Sequence, residues 1–229
     1  MAAATAGRGG PFGDARRSTA RRAPWWRRAS ARAAASESSP SGGGRVLAGV
    51  FLALVLGGVG AIATGGWLYA KAVAGQWLLE RAWTKTRAGH PAPPWPWADT
   101  KPIGRLIVPS VDGDVLVLAG ASGRTLAWGP GHLDASAPLG SGGHAVVSAH
   151  RDTHFRFLRD VAIGAEVLVE LPDGARRHYR VRRAYVADAR TLALPRTTGV
   201  PTLTLVTCYP FDALVPGGPG RYVVVAEAG

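Results

Sequence analysis

Cysteine is almost absent from this sequence, with Cys208 the only one among 229 residues. A single cysteine excludes an internal disulfide and any metal site built from several thiolates. Acidic residues are also few, 15 against 27 lysines and arginines, so the formal net charge is +12. The glycines at 140–143 lack the lysine of a phosphate-binding P-loop, and the sequence has no internal repeat. These absences argue against a disulfide scaffold, a Cys-rich metal centre, a P-loop enzyme and a repeat protein.

The positive charge is concentrated at the N-terminus. Residues 1–45 contain nine arginines against Asp14 and Glu37, in a background of Ala, Gly and Ser. Such a composition cannot bury enough apolar surface to fold, so it predicts a disordered basic tail over 1–45. Nucleic-acid binding is not expected, because membrane topology explains the basic tail and the rest of the chain has no basic-aromatic stacking motif.

An uncharged apolar run occupies residues 46–70, between Arg45 and Lys71. It is long enough to span a bilayer as a helix. A cleaved signal peptide would have a shorter apolar core closer to Met1, so the run predicts an uncleaved transmembrane signal anchor. The arginine excess before it predicts a cytoplasmic N-terminus, with everything after Lys71 across the membrane.

Residues 71–100 are predicted to connect the anchor to a folded domain. The stretch 71–86 indicates a short amphipathic helix, and the prolines between His90 and Trp97 favour a semi-rigid extended spacer. The tryptophans of this spacer are expected to pack against the domain that follows.

Residues 101–229 have the pattern of a compact all-β domain. Short β-favouring runs lie at 105–108, 115–118, 144–150, 165–171, 177–186, 201–207 and 221–226. Asp173-Gly174 is a strong hairpin signal between two of these runs. Helical turns are indicated only at 155–159 and in parts of 121–138 and 188–198. Seven or so strands without βαβ alternation predict a closed or nearly closed antiparallel barrel.

Three chemically useful side chains come where predicted strands begin or end. Cys208 ends an apolar run, and Pro210 cannot continue a sheet ladder, so the thiol is placed at a strand end. His150 follows the run 145–147, and Arg221 precedes the run 222–225. A thiol at a rigid rim suits a nucleophile, whereas the alternative is a buried cysteine that acts as a small apolar side chain.

Two motifs carry a resemblance to a known family: SAHRDTHFRFL at 148–158 and TLVTCYPFDALVPGGPGRYVVVA at 204–226. They resemble the sortases, the cysteine transpeptidases that anchor surface proteins, and in particular the class D-type sortases of Gram-negative proteobacteria. The resemblance covers roughly residues 95–228 and implies a sortase-type closed barrel of about eight strands. Ala149 departs from the family pattern, which usually has glycine before the histidine.

The resemblance implies a role for each member of the constellation. Cys208 would be the nucleophile that forms an acyl thioester, His150 the general acid and base, and Arg221 the group that stabilises the thiolate and the oxyanion. The substrate would be a surface protein with an LPxTG-like C-terminal sorting signal, transferred to an amine acceptor. No cofactor is expected; calcium aids some sortases, but this domain has no dense acidic cluster.

Weaker predictions concern three neighbouring residues. Thr207 is expected to help line the oxyanion site, although strand propensity alone also explains it. His154 is interpreted as a substrate-rim or locally hydrogen-bonded residue, and Asp152 either orients an imidazole or caps the following helix. A zinc site made from His144, His150 and His154 is the rival interpretation, but HRDTH lacks the glutamate of HExxH, so no metal is predicted.

Three functions remain open on the sequence. The leading hypothesis is a transpeptidase in the bacterial inner (cytoplasmic) membrane, single-pass, bound to lipid through residues 46–70, with an extracytoplasmic catalytic domain over 101–229. A cysteine protease that uses water as the acceptor would need the same residues. A membrane-tethered binding module without activity is the third, and the intact set of thiol, imidazole and guanidinium argues against it.

Overall fold

The computed structural model describes residues 42–195, 197–215 and 217–229. The predicted basic tail therefore lies almost entirely outside the described residues. The chain divides into two compact units, Met1–Gly60 and Ala61–Gly229. In the first, every described residue is helical, and the second holds a β-barrel and the helical turns that precede it.

One long helix, α1 (Gly42–Arg87), contains both the apolar run and the short helix predicted after it. Among the described residues it is the one helix that is long and apolar enough to cross a membrane. Its large apolar side chains from Val46 to Leu68 are exposed. The glycines in this run do not break the helix, as is common in membrane helices.

Eight strands form the closed barrel that the sequence predicts, in the order β1-β2-β3-β4-β7-β8-β6-β5. Their bounds are β1 (Pro102–Val108), β2 (Gly113–Ala119), β3 (Gly131–His132), β4 (His144–Ser148), β5 (Glu166–Glu170), β6 (Arg176–Asp188), β7 (Thr202–Cys208) and β8 (Gly220–Ala228). The seven predicted strands are all present. The eighth, β3, was missed because a two-residue strand has no hydrophobic period to detect.

The prediction of an entirely antiparallel barrel is wrong in two places, because β2 pairs with β3 and β4 pairs with β7 in parallel. The hairpin of β5 and β6 lies between β4 and β7 in the sequence. The hairpin returns the chain to the rim where β4 ends, and residues 189–201 then lead to the opposite rim, so β7 runs beside β4 in the same direction. Parallel neighbours end at the same edge of a sheet. The residues that follow β4 and those at the end of β7 therefore lie at one rim.

Helical structure outside α1 is limited to short pieces in the described residues. The helix α2 (Gly123–Leu126) begins at Ser122, whose hydroxyl accepts from the Thr125 amide over 3.2 Å. Short 3-10 helices span Pro109–Val111 and Arg156–Asp160, and the latter confirms the predicted helical turn at 155–159. The predicted helical turn within 188–198 is present as a single turn, in which the Thr191 and Leu192 amides donate to the Asp188 carbonyl over 3.1 and 2.8 Å.

The barrel interior is filled by aliphatic residues from all the longer strands, together with Phe155 and Leu158. A second cluster joins α1 to the outside of the barrel, where Leu79 and Trp83 pack against Leu116 and Leu118 of β2. In the spacer, the Trp95 ring lies 4.8 Å from that of Trp128, which confirms the predicted packing for this tryptophan. Trp97, by contrast, is exposed.

Candidate active site

Two of the three predicted catalytic residues are cross-strand partners on neighbouring strands. Cys208, the last residue of β7, pairs with Arg221 of β8. On the other side of β7, Ser148 at the end of β4 pairs with Val206, so His150 follows the strand end nearest to the thiol. All three residues thus lie at the same rim of the barrel, as the sequence predicts.

The alternation of side chains along the strands decides which face of the barrel these groups occupy. Cys208 shares a face with Val206, and Arg221 shares a face with Val223, because residues two apart in a strand point the same way. Val206 and Val223 belong to an apolar cluster separate from the barrel core. Leu192, from the loop between β6 and β7, packs against this cluster. The thiol and the guanidinium are therefore on the outer face, and the thiol is half-buried.

A groove of about 320 Å³ lies on this outer face, and it is called the outer groove below. Its floor includes Val146 and Ser148 of β4 and Val206 of β7, while Leu192 and Leu194 form part of its wall. Ser148 is two residues before His150, and Val206 is two residues before Cys208. The outer groove therefore leads towards the predicted catalytic rim. An extended peptide segment could lie there with its side chains on apolar surface.

His144 connects the wall of the outer groove to its floor through two hydrogen bonds. Its Nδ1 donates to the Pro195 carbonyl at 2.5 Å, and its Nε2 is hydrogen-bonded to the Thr204 hydroxyl at 2.7 Å. Both ring nitrogens are thereby engaged, which removes His144 from the rival zinc set. Among the described residues, no group of three or more His, Cys, Asp and Glu has the arrangement of a metal site.

The Arg221 guanidinium binds the loop that precedes it. Its Nη1 donates to the carbonyls of Gly218 and Gly220, each over 2.8 Å. The charge of Arg221 also contributes to lowering the pKa of Asp188, behind the larger effect of the hydrogen bonds from Arg190. Arg221 is thus held by its own loop beside its cross-strand neighbour Cys208.

The turn after β4 places His150 at the surface and His154 half-buried beneath it. Burial lowers the pKa of His154, and the charge of the neighbouring His150 lowers it further. His154 lines a cleft of about 470 Å³ together with Gln76 and Glu80 of α1, separate from the outer groove, and its role at the substrate rim stays a prediction.

Both carboxylate oxygens of Asp152 accept hydrogen bonds from the Arg151 guanidinium, from Nε over 2.7 Å and from Nη2 over 3.0 Å. This contact is the main cause of the lowered pKa of Asp152, and the charges of Arg151 and His150 add to it. The capping alternative for Asp152 is wrong, because the 3-10 helix that follows begins at Phe155 without a side-chain cap.

Thr207 has a different place from the one expected for an oxyanion donor. Its side chain is buried, and its hydroxyl donates to the Ala149 carbonyl over 2.8 Å. By parity Thr207 lies on the opposite face of β7 from Cys208. The hydroxyl therefore ties the residue before the thiol to the residue before His150, and the expectation that it lines the oxyanion site is wrong.

Sequence reasoning missed Arg151, which is only 6% exposed. Its guanidinium donates to Asp152 and to the carbonyls of Pro210 and Ala213 in the loop after Cys208. Its position directly after His150 was the available signal. Burial of an arginine, however, cannot be recognised without knowing which carbonyls the fold brings near it.

The family model described as "Sortase domain" matches residues 106–228, which include every residue of the rim. The chain belongs to the sortase family. The family named from the two motifs is thus confirmed, and so is the fold that it implies. The matched residues comprise all of β2 to β8, the last three residues of β1 and the loops that form the outer groove.

Individual relatives agree with this assignment. Sortase D of Bacillus subtilis is 29% identical over 124 residues, 54% of this chain and 62% of its own length. Sortase A from Corynebacterium diphtheriae superposes with a TM-score of 0.52 at 26% identity, over 58% of this chain and 63% of that structure. The chain therefore spans a little over three fifths of each of these two relatives.

One further solved structure shows the fold alone, because its sequence identity is low. The Clostridium perfringens Sortase D5 transpeptidase has a TM-score of 0.55 at 17% identity, over 69% of this chain and 99% of that structure. Its nearly complete coverage shows that the barrel described here corresponds to a whole sortase domain.

Proposed function

We propose that this sortase is a membrane-anchored cysteine transpeptidase of class D type. It cleaves an LPxTG-like sorting signal through a thioester on Cys208 and transfers the protein to an amine acceptor. The observation that carries the proposal is the pairing of Cys208 with Arg221 at the rim where β4 also ends and His150 follows. The relative named Sortase D supports the class.

The first half-reaction makes the thioester. The Cys208 thiolate attacks the carbonyl carbon of the threonine in the sorting signal, and the positive charge of Arg221 stabilises the oxyanion that forms. As the tetrahedral intermediate collapses, the C–N bond breaks and the His150 imidazolium gives its proton to the departing amine. The acyl group remains on sulfur, and His150 is left neutral.

The second half-reaction returns the enzyme to its starting state. Neutral His150 accepts a proton from the incoming amine as its nitrogen attacks the thioester carbonyl. A new C–N bond forms and the C–S bond breaks, so Cys208 leaves as the thiolate and His150 is again the imidazolium. The positive charge of Arg221 stabilises the departing thiolate and the second oxyanion, so the same cation acts in both half-reactions.

We assign the sorting signal to the outer groove. The groove has apolar walls for the leucine and proline side chains of such a signal, and it lies on the face of the barrel that carries the thiol. Ser148, the last residue of β4, and Val206, two residues before Cys208, both line the groove, which supports a scissile bond near the thiol.

We assign α1 to the bacterial inner membrane as a single-pass anchor, with the N-terminus cytoplasmic and the barrel extracytoplasmic. The exposed apolar side chains of its first half support contact with lipid. The arginines before Val46 support the orientation. A periplasm-dependent reporter fused after Gly229 is expected to be active, and activity of a cytoplasm-dependent reporter would contradict this orientation.

The decisive experiment uses the full chain in detergent with an LPxTG peptide and a glycine-based amine. Mass spectrometry is expected to detect an acyl group on Cys208 and the amine-exchanged peptide, and both should disappear in Cys208→Ala. Hydrolysis alone under saturating amine would instead indicate the protease. Full biological function of Cys208→Ala in cells would indicate the binding module.

A further inference from the structure

Arg151 is a charged side chain held in the interior of the catalytic rim. Arginine is almost never this deeply buried unless it is paired. Here Nε and Nη2 bind the Asp152 carboxylate, Nη1 donates to the Pro210 carbonyl, and Nη2 also donates to the Ala213 carbonyl at 3.0 Å. The guanidinium thus makes contacts on two sides, with its own turn and with the loop after Cys208.

These contacts join the two segments that carry the proposed acid-base and nucleophilic groups. Arg151 follows His150 directly, and its partners Pro210 and Ala213 follow Cys208 by two and five residues. The same two segments are joined on the strand side, where the Ala149 amide donates to the Val206 carbonyl over 3.2 Å. The His150 turn and the Cys208 turn are therefore connected both before and after the reactive residues.

The loop between β7 and β8 is held at both ends by an arginine. Arg151 binds its first part, through Pro210 and Ala213, and Arg221 binds its last part, through Gly218 and Gly220. The two guanidinium groups approach this loop from different elements, Arg151 from the turn after β4 and Arg221 from β8.

Arg151 is charged and interacts with acidic groups of both segments. Its pKa is raised, chiefly by the hydrogen bonds to Asp152, and the negative charges of Asp152, Cys208 and Asp212 contribute in the same direction.

We propose that Arg151 is a positioning residue of the transfer reaction: it holds the His150 turn and the Cys208 loop together. The proposal rests on the proposed nucleophilic role of Cys208. Lysine cannot replace it fully, because one ammonium lacks the planar fork of donors that binds a carboxylate and two carbonyls at once.

The test uses Cys208 as its own probe, since a thiol reagent has no other cysteine to modify. The full chain in detergent is treated with iodoacetamide at neutral pH, and the rate of modification is followed by mass spectrometry. Arg151→Met is expected to react severalfold faster, because release of the loop after Cys208 opens access to the half-buried thiol. Arg151→Lys is expected to change in the same direction, because one ammonium cannot bind both carbonyls and the carboxylate at once.

A second measurement reports on the loop. Leu214 is 99% exposed and offers a chymotrypsin site between the two arginine attachments. Cleavage after Leu214 is expected to accelerate in both Arg151→Met and Arg151→Lys, since neither reproduces the fork. Arg159→Gln is the matched control, because Arg159 is an exposed arginine of the same segment and contacts only its neighbour Asp160, at 3.7 Å; it should leave both rates unchanged.

The outcomes separate this proposal from the proposed function. Neither measurement needs a peptide substrate, so a failure to observe acyl transfer leaves both readouts intact. Unchanged alkylation and cleavage in folded Arg151→Met, with folding checked by circular dichroism, would overturn the proposal. If Arg151→Met does not fold, Arg151→Lys decides: parent-like cleavage after Leu214 would overturn the positioning role, and faster cleavage with faster alkylation would support it.

Discussion

The Thr207 hydroxyl donates a hydrogen bond to the Ala149 carbonyl over 2.8 Å, which links the residue before Cys208 to the residue before His150. The two residues are 58 positions apart in the sequence and are neighbours only because β4 and β7 pair in parallel. The bond is buried, so water cannot replace it. We infer that the spacing of the proposed nucleophile and acid-base group is set on the inner face of the sheet, while the reaction takes place on the outer one.

Thr207→Val is expected to lower both stability and transfer activity. The valine keeps the shape of threonine but removes the donor to the Ala149 carbonyl, at a cost of about 1–3 kcal/mol in the free energy of unfolding. Denaturant unfolding and the rate of peptide transfer provide the measurements. Thr207→Ser retains the hydroxyl and is expected to keep most of the activity; equal losses in both variants would show that the hydrogen bond is not the cause.

Gly220→Ala is expected to disturb the pairing beside Cys208. A Cβ at Gly220 would lie 2.7 Å from the Tyr209 carbonyl oxygen, so backbone must move where β7 and β8 separate. Overpacking of this kind costs about 1–3 kcal/mol, and Arg221 is the adjacent residue. Melting temperature and transfer rate should both fall.

Gly218→Ala is the matched control for that substitution, two residues away in the same loop. Its Cβ would lie 3.9 Å from the Tyr209 carbonyl oxygen, an ordinary contact. Activity close to that of the parent protein is expected. A Gly220→Ala variant as active as Gly218→Ala would contradict the importance of this close approach.

Trp83→Ala is expected to detach the end of α1 from the barrel. Trp83 is 3% exposed and packs with Leu79 against Leu116 and Leu118. Removing a buried aromatic side chain costs about 3–5 kcal/mol. Trp77, on the same helix, is 60% exposed, so Trp77→Ala should change stability little. Denaturation followed by circular dichroism compares the two, and equal effects would mean that α1 does not support the barrel.

The stability of the domain is expected to fall as the pH drops below about 6.5, the ordinary pKa of histidine. Burial, and then the charge of His150, lower the pKa of His154 in the folded state. Between the ordinary value and the lowered one, the unfolded chain binds a proton that the folded chain does not, so the free energy of unfolding decreases with falling pH. Above that window the contribution of neutral His154 is fully present.

His154→Gln is expected to flatten this dependence. Melting temperatures measured from about pH 7.5 to pH 5.5 should decline less in the variant than in the parent protein. His90→Gln removes an exposed histidine and should retain the parent slope. A parent slope in His154→Gln would show that another group controls the acid side of the stability curve.

Local sequence patterns determined most of the elements. The strand periodicity predicted seven strands, and the Asp173-Gly174 turn predicted the hairpin of β5 and β6, because alternation and turn chemistry are properties of a few adjacent residues. The two-residue strand β3 has no such pattern. The parallel pairing of β4 with β7 was also missed, because strand direction depends on the path of the whole chain between them.

The sequence by itself determined the family and was enough to propose Cys208, His150 and Arg221 as the reactive residues, since motif residues and strand ends can be found without coordinates. Only the tertiary structure decided what surrounds them. It turned Thr207 inward, gave the Asp152 carboxylate to Arg151 and buried that arginine between two loops. The physical reason is that a hydrogen bond to a backbone carbonyl needs no particular residue type at the acceptor. Such contacts leave no signature in the sequence and become visible only when the fold brings the segments together.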